Sequence, residues 1–84
     1  MQKLRNLGSA SLKMLETAGI ISEQQLRELG SVAAYRAIQQ AGCQPSLNLL
    51  WALEGALSDR DWRQIAKEER TALILQLDDL ERSG

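Results

Sequence analysis

ISEQQLRELGSVAAYRAIQQAG, residues 21–42, carries most of the punctuation from which the fold is read. Ser22 stands where an N-cap belongs and Gln25 follows three residues later, a pairing in which side chains and backbone donors of the first turn satisfy each other. Ile21 and Leu26 sit where a hydrophobic staple would close over that turn. The helix so begun ends at Leu29, because Gly30 reads as its C-terminal cap, and Ser31 can serve at once as N-cap of a third helix. That helix is expected to run to about Ala41 and to stop at Gly42.

Working outward, the upstream stretch predicts a first helix that begins near Ser9, keeps Leu12, Leu15 and Ala18 on one face, and stops at Gly19. Downstream, Pro45 and Ser46 open a fourth helix over about residues 47–57. Leu47, Leu49, Leu50, Trp51, Ala52, Leu53, Ala56 and Leu57 cover nearly its whole circumference, which marks a buried helix around which the others pack. DRDWRQI, residues 59–65, predicts a short turn of helix with Trp62 and Ile65 on its inner side. A last helix, from about residue 67 to 81, places Leu73, Leu77 and Leu80 at i, i+4 and i+7 with charges opposite. No run alternates as a strand does, Phe is absent and Val, Thr and Tyr are scarce, so no sheet is expected. The expectation is one all-α domain over residues 1–84, built from about five short helices.

The segment LRELGS at residues 26–31 has a second copy, LRNLGS at residues 4–9, an offset of 22. Ala18-Gly19 and Ala41-Gly42 continue the match at an offset of 23. Leu-Gly-Ser is also what any junction of two helices and a cap tends to look like, but that accounts for the Gly-Ser and not for the shared Leu-Arg. Each half resembles a helix-hairpin-helix unit, so the expected architecture is a tandem repeat of that kind plus a C-terminal helix. Asn6-Leu7-Gly8 would be the first hairpin, with Asn6 where such units usually have a glycine, and Asn tolerates the left-handed region. Glu28 holds that place in the second copy, where it fits poorly and would repel a phosphate.

The first hairpin offers backbone N–H groups from Gly8, Ser9, Ala10 and Ser11 at a helix N-terminus, a favourable place for a phosphate oxygen. Lys3, Arg5 and Lys13 make residues 1–13 locally cationic without a carboxylate, whereas from Ser46 onward five basic residues face eight acidic ones. Ala10 stands where such units commonly have a basic residue, and Lys13 lies one turn on. Contacts of this type read the nucleic-acid backbone and not the bases, so binding would be weak, salt-sensitive and independent of sequence.

The whole chain has a net charge of -1, with no global attraction to nucleic acid or an acidic membrane. Cys43 is the single cysteine, which rules out an internal disulfide. The first residues lack the apolar stretch of a signal peptide and the longest apolar run is short, so a cytoplasmic protein without a membrane segment is the simplest expectation. There is no histidine, which removes the commonest general base and metal ligand. The acidic pairs Asp59/Asp61, Glu68/Glu69 and Asp78/Asp79 lack the spacing of a calcium loop and read as caps and solvated faces. No enzymatic activity, cofactor, metal or small-molecule substrate is expected.

Beyond the hairpins, three stretches in this order resemble the C-terminal domain of the TfoX/Sxy family of bacterial competence regulators. They are LRNLGSASLKMLETAGI at residues 4–20, QLRELGSVAAY at 25–35 and SLNLLWALEGAL at 46–57. The last is the most specific, joining an N-cap, an almost wholly apolar helix and a Glu-Gly pair. The resemblance implies a helical regulatory domain in the transcriptional control of competence or DNA uptake, and not an enzyme. Family regulators usually carry an additional N-terminal α/β domain, whereas here the helical part begins within the first residues.

Ile74 and Leu75 make the last helix more apolar than one buried stripe needs, which suggests a protein partner or a homodimer there. Trp62, between Asp61 and Arg63, reads equally as an exposed anchor or as a lid on the core. Trp51, in the most apolar helix, is expected in the core.

Overall fold

The computed structural model describes residues 7–83. Six helices follow one another among them: α1 (Ser9–Thr17), α2 (Glu23–Leu29), α3 (Ser31–Gln40), α4 (Leu47–Ser58), α5 (Trp62–Glu68) and α6 (Arg70–Ser83). No strand occurs among the described residues, so the all-α expectation holds.

The most apolar segment becomes the centre. Leu49, Leu50, Trp51, Ala52, Leu53, Gly55 and Ala56 of α4 are buried, with α3 and α5 packed against it. α6 lies across α3 and α5, while α1 and α2 pack on α3. Each helix sends apolar side chains into the common cluster: Leu15, Leu26, Ile38, Leu50, Leu53 and Ile65 are fully enclosed, and α6 adds Leu73 and Leu77. Burial of each such side chain is worth about 1.5–3 kcal/mol, and helices this short would be marginal without it.

The punctuation read from the sequence is in place. The Gln25 N–H donates to Ser22 Oγ at 3.1 Å, and Gln25 Oε1 accepts from the Ser22 N–H at 3.1 Å. Gly19 and Gly42 adopt φ of 85° and 94°. The residue after each donates its N–H back into the helix, Ile20 to the Leu15 carbonyl at 2.8 Å and Cys43 to that of Ile38 at 3.3 Å. The two halves therefore stop their helices in the same way. α1 has nine residues and α3 has ten, so the extra residue that moves the repeat offset from 22 to 23 lies within the helix.

Several expectations need correction. Ile21 is 64% exposed and closes no staple; Ile20 is the residue buried before α2. Ser31 is not an N-cap but the first helical residue of α3, and Gly30 is the boundary, at φ 84° and ψ 167°. That region is essentially restricted to glycine. Leu47 is exposed at the start of α4, outside the buried circumference. The helix expected from about residue 67 is interrupted at Glu69, where φ of -120° and ψ of 9° separate α5 from α6, giving six helices. Asp61 caps α5 by accepting from the Arg63 N–H at 2.8 Å, and Arg60 pairs with Glu69 across the corner. The second copy folds as α2, Gly30 and α3. Glu28 and Leu29 belong to the last turn of α2, so Glu28 does not take the left-handed place expected of it and Gly30 alone makes the turn. Asn6 of the first copy falls outside the described residues.

Candidate functional site

The two copies of the repeated segment end in junctions that are built differently. At the first, Lys3, Arg5 and Asn6 lie outside the described residues. Leu7 is buried in the core, and Gly8 is the N-cap of α1 in an extended conformation, at φ -91°. No side chain caps that turn among the described residues, and no acidic residue occupies it. The Leu12 N–H donates to the Gly8 carbonyl at 3.0 Å, so the N–H groups of Ser9, Ala10 and Ser11 precede the helical ladder and carry the positive end of the dipole. Ser9, Ala10 and Lys13 are exposed and Ser11 is half-buried. Lys13 is the basic residue of α1, and Glu16 follows it three residues on in the same helix.

At the second junction Ser31 is the one buried polar residue of the described chain, and its hydroxyl donates to Glu54 Oε1 of α4 at 2.7 Å. A carboxylate is thereby held at the first turn of α3, where negative charge is favoured by the dipole. The place a phosphate oxygen would take is thus beside the protein's own anion. Glu28 adds a second carboxylate on α2, where it accepts from Gln24 Nε2 at 3.1 Å. This arrangement ties α3 to α4 and disfavours an anionic ligand.

The same junction opens onto a groove of about 460 Å³ between the start of α3 and the end of α6. Leu29 and Leu80, 45% and 38% exposed, face it together with Val32, Glu54 and Asp79. Sequence reading missed this site. Leu29 is the last residue of a short helix and Leu80 belongs to an apolar stripe expected to be wholly buried, so only the crossing of α6 over α3 brings them together.

The expected interface residues separate. Ile74 is half-buried and packs on the core, whereas Leu75 is 59% exposed, since adjacent residues on a helix point about 100° apart. Trp62 also packs partly against the core, with the Arg63 guanidinium 5.7 Å from its ring centroid. It lines a smaller cleft with Ser11, Met14 and Asn48, and so acts as a lid over α4. Trp51 is buried as expected. Tyr35 is buried, donates its hydroxyl to the Pro45 carbonyl at 2.9 Å, and has its pKa raised by burial and then by the Glu81 carboxylate.

Among the described residues no cluster of His, Cys, Asp or Glu is arranged to hold a metal ion, and no helix is long and apolar enough to cross a membrane. Cys43 is a half-buried thiol in the loop after α3.

Comparison with curated proteins and with solved structures returns no match to the chain. The family model for the TfoX C-terminal domain, in contrast, matches residues 1–77, which include both repeated junctions, the buried α4 and the buried stripe of α6. With a match over nearly its whole length, the chain belongs to the TfoX C-terminal domain family.

Proposed function

We propose that this domain is a non-enzymatic regulatory module that works through protein contacts in the transcriptional control of competence or DNA uptake. The observation that carries the reading is the groove between α3 and α6, where two large apolar side chains, Leu29 and Leu80, stay exposed together beside carboxylates, whereas Ile21, Leu47 and Leu75 are exposed outside that lining. Contiguous exposed apolar surface rimmed by polar groups is the usual mark of a protein interaction site. The test is recovery of partners by the tagged domain from its source cells, with transcripts of DNA-uptake genes measured after its deletion. A discrete protein partner and a several-fold transcript change are expected. No partner together with unchanged transcripts would remove the proposal.

A second reading, weak sequence-independent contact with the DNA backbone at residues 6–13, is favoured by the open and uncapped start of α1. Fluorescence anisotropy with duplex DNA at low salt then shows binding that falls steeply as salt rises and weakens on Lys13→Glu, with Glu28→Gln neutral. Absence of binding at low salt ends this reading.

A further inference from the structure

We propose that the groove between α3 and α6 receives a cationic amphipathic segment of a protein partner, with leucine-like side chains between Leu29 and Leu80 and lysine or arginine opposite Glu54 and Asp79. This rests on the reading of the domain as a protein-interaction module and names the chemistry of what it binds. The charge of the groove carries the choice. Its charged lining residues are both carboxylates, and neither is ion-paired with a described cation: Arg27 pairs with Glu23, Arg60 with Glu69, and Arg82 with Asp78. Glu54 is held by the Ser31 hydroxyl, a neutral donor that leaves its charge uncompensated. Two uncompensated carboxylates beside exposed leucines match a partner that supplies both cations and apolar side chains.

The shape favours an elongated occupant. A second depression, lined by Ala33, Arg36, Gln40, Leu80 and Ser83, shares Ala33, Leu80 and Ser83 with the first, so the two form one trough along α3. α3 has ten residues, which at helical rise is about 15 Å, or nearly three turns of an opposing helix. The far end of the trough reverses the charge. Arg36 lies there with its Nε buried and without a hydrogen-bond partner among the described residues, while Nη1 donates to Gln39 Oε1 at 3.3 Å. The occupant is therefore polar along its length, cationic at the Glu54 and Asp79 end and carrying an acceptor, a carboxylate or a carbonyl, at the Arg36 end.

The experiment uses two synthetic helical peptides with leucines at i, i+4 and i+7, one flanked by lysines and ending in an acidic residue, the other with these charges inverted. Each is titrated into the labelled full chain and followed by amide chemical shifts. The lysine peptide is expected to move the amides of residues 29–33 and 76–83, and to bind about tenfold more tightly than its inverse. Asp79→Lys and Leu80→Ser each weaken it about tenfold, while Glu16→Lys on α1 does not, with unchanged melting curves excluding a folding defect. Equal affinity of the two peptides, or shifts centred on another face, would overturn the proposal. So would a homodimer in sedimentation that Leu80→Ser dissolves, because a second copy would then occupy the trough. If the Asp79→Lys and Leu80→Ser variants still recover the same cellular partner, the groove assignment fails and the interaction module stands. If the unaltered domain recovers none, the module reading itself fails.

Discussion

The junction at Gly8-Ser9 and the junction at Gly30-Ser31 have the same three-letter core, Leu-Gly-Ser, and opposite fates. The first glycine sits in extended backbone open to any residue, and the serine after it is exposed at an uncapped helix start. The second glycine sits at φ 84°, and the serine after it is buried against a carboxylate from a different helix. The cause is the neighbour. α3 packs against α4 and receives Glu54, so the second junction serves as a joint between helices. The lesson is that a repeated sequence specifies repeated helix boundaries, while the role of each boundary is set by what packs on it.

The comparison sharpens first in the core, where the halves are equivalent. Leu15 and Ile38 occupy matching positions before the Ala-Gly stops and both are fully enclosed. Replacing either by Ala is expected to cost about 2–5 kcal/mol in urea denaturation. A large cost at one and none at the other would break the equivalence. The glycines come next. Gly30→Ala forces a Cβ into a glycine-only region and is expected to lose about 1–3 kcal/mol, whereas Gly8→Ala, whose new methyl meets nothing within 4 Å, stays within about 0.5 kcal/mol. Equal losses would mean that both junctions are structural joints.

A smaller effect separates the helices that follow. Lys13 on α1 is exposed, and 22 residues on, Tyr35 of α3 is buried and hydrogen-bonded to the loop before α4. Because the folded state raises the phenol pKa, Tyr35 contributes stability fully below its unfolded pKa and loses it as pH rises through the folded one. Stability is thus expected to decline above about pH 10, and this part of the decline disappears in Tyr35→Phe. An unchanged alkaline profile in that variant would contradict the burial of the Tyr35 phenol beside Glu81.

Much of the fold was legible because its signals are local. The Ser22 and Gln25 pair, the glycines at 19 and 42 and the apolar circumference of α4 each act within a few residues, and all appear where the pattern places them except at the ends of α4, where Leu47 is exposed and Leu57 half-buried. Ser31 was misread for the same reason. A serine at a helix start can bond to its own backbone or to a distant side chain, and only packing against α4 selects Glu54. The break at Glu69 had no glycine or proline to announce it. Little of the candidate site was legible. The groove exists because α6 crosses α3, which no periodicity within α6 encodes, and Ile74 and Leu75 look alike until one is turned to the core.

The most direct test of the central claim, that Glu54 makes the second junction a joint, is a double-mutant cycle of Ser31→Ala and Glu54→Ala measured by equilibrium denaturation. A coupling of about 1 kcal/mol is predicted, with Ser9→Ala near zero in either background. Additive effects of Ser31→Ala and Glu54→Ala, with no coupling between them, would contradict it.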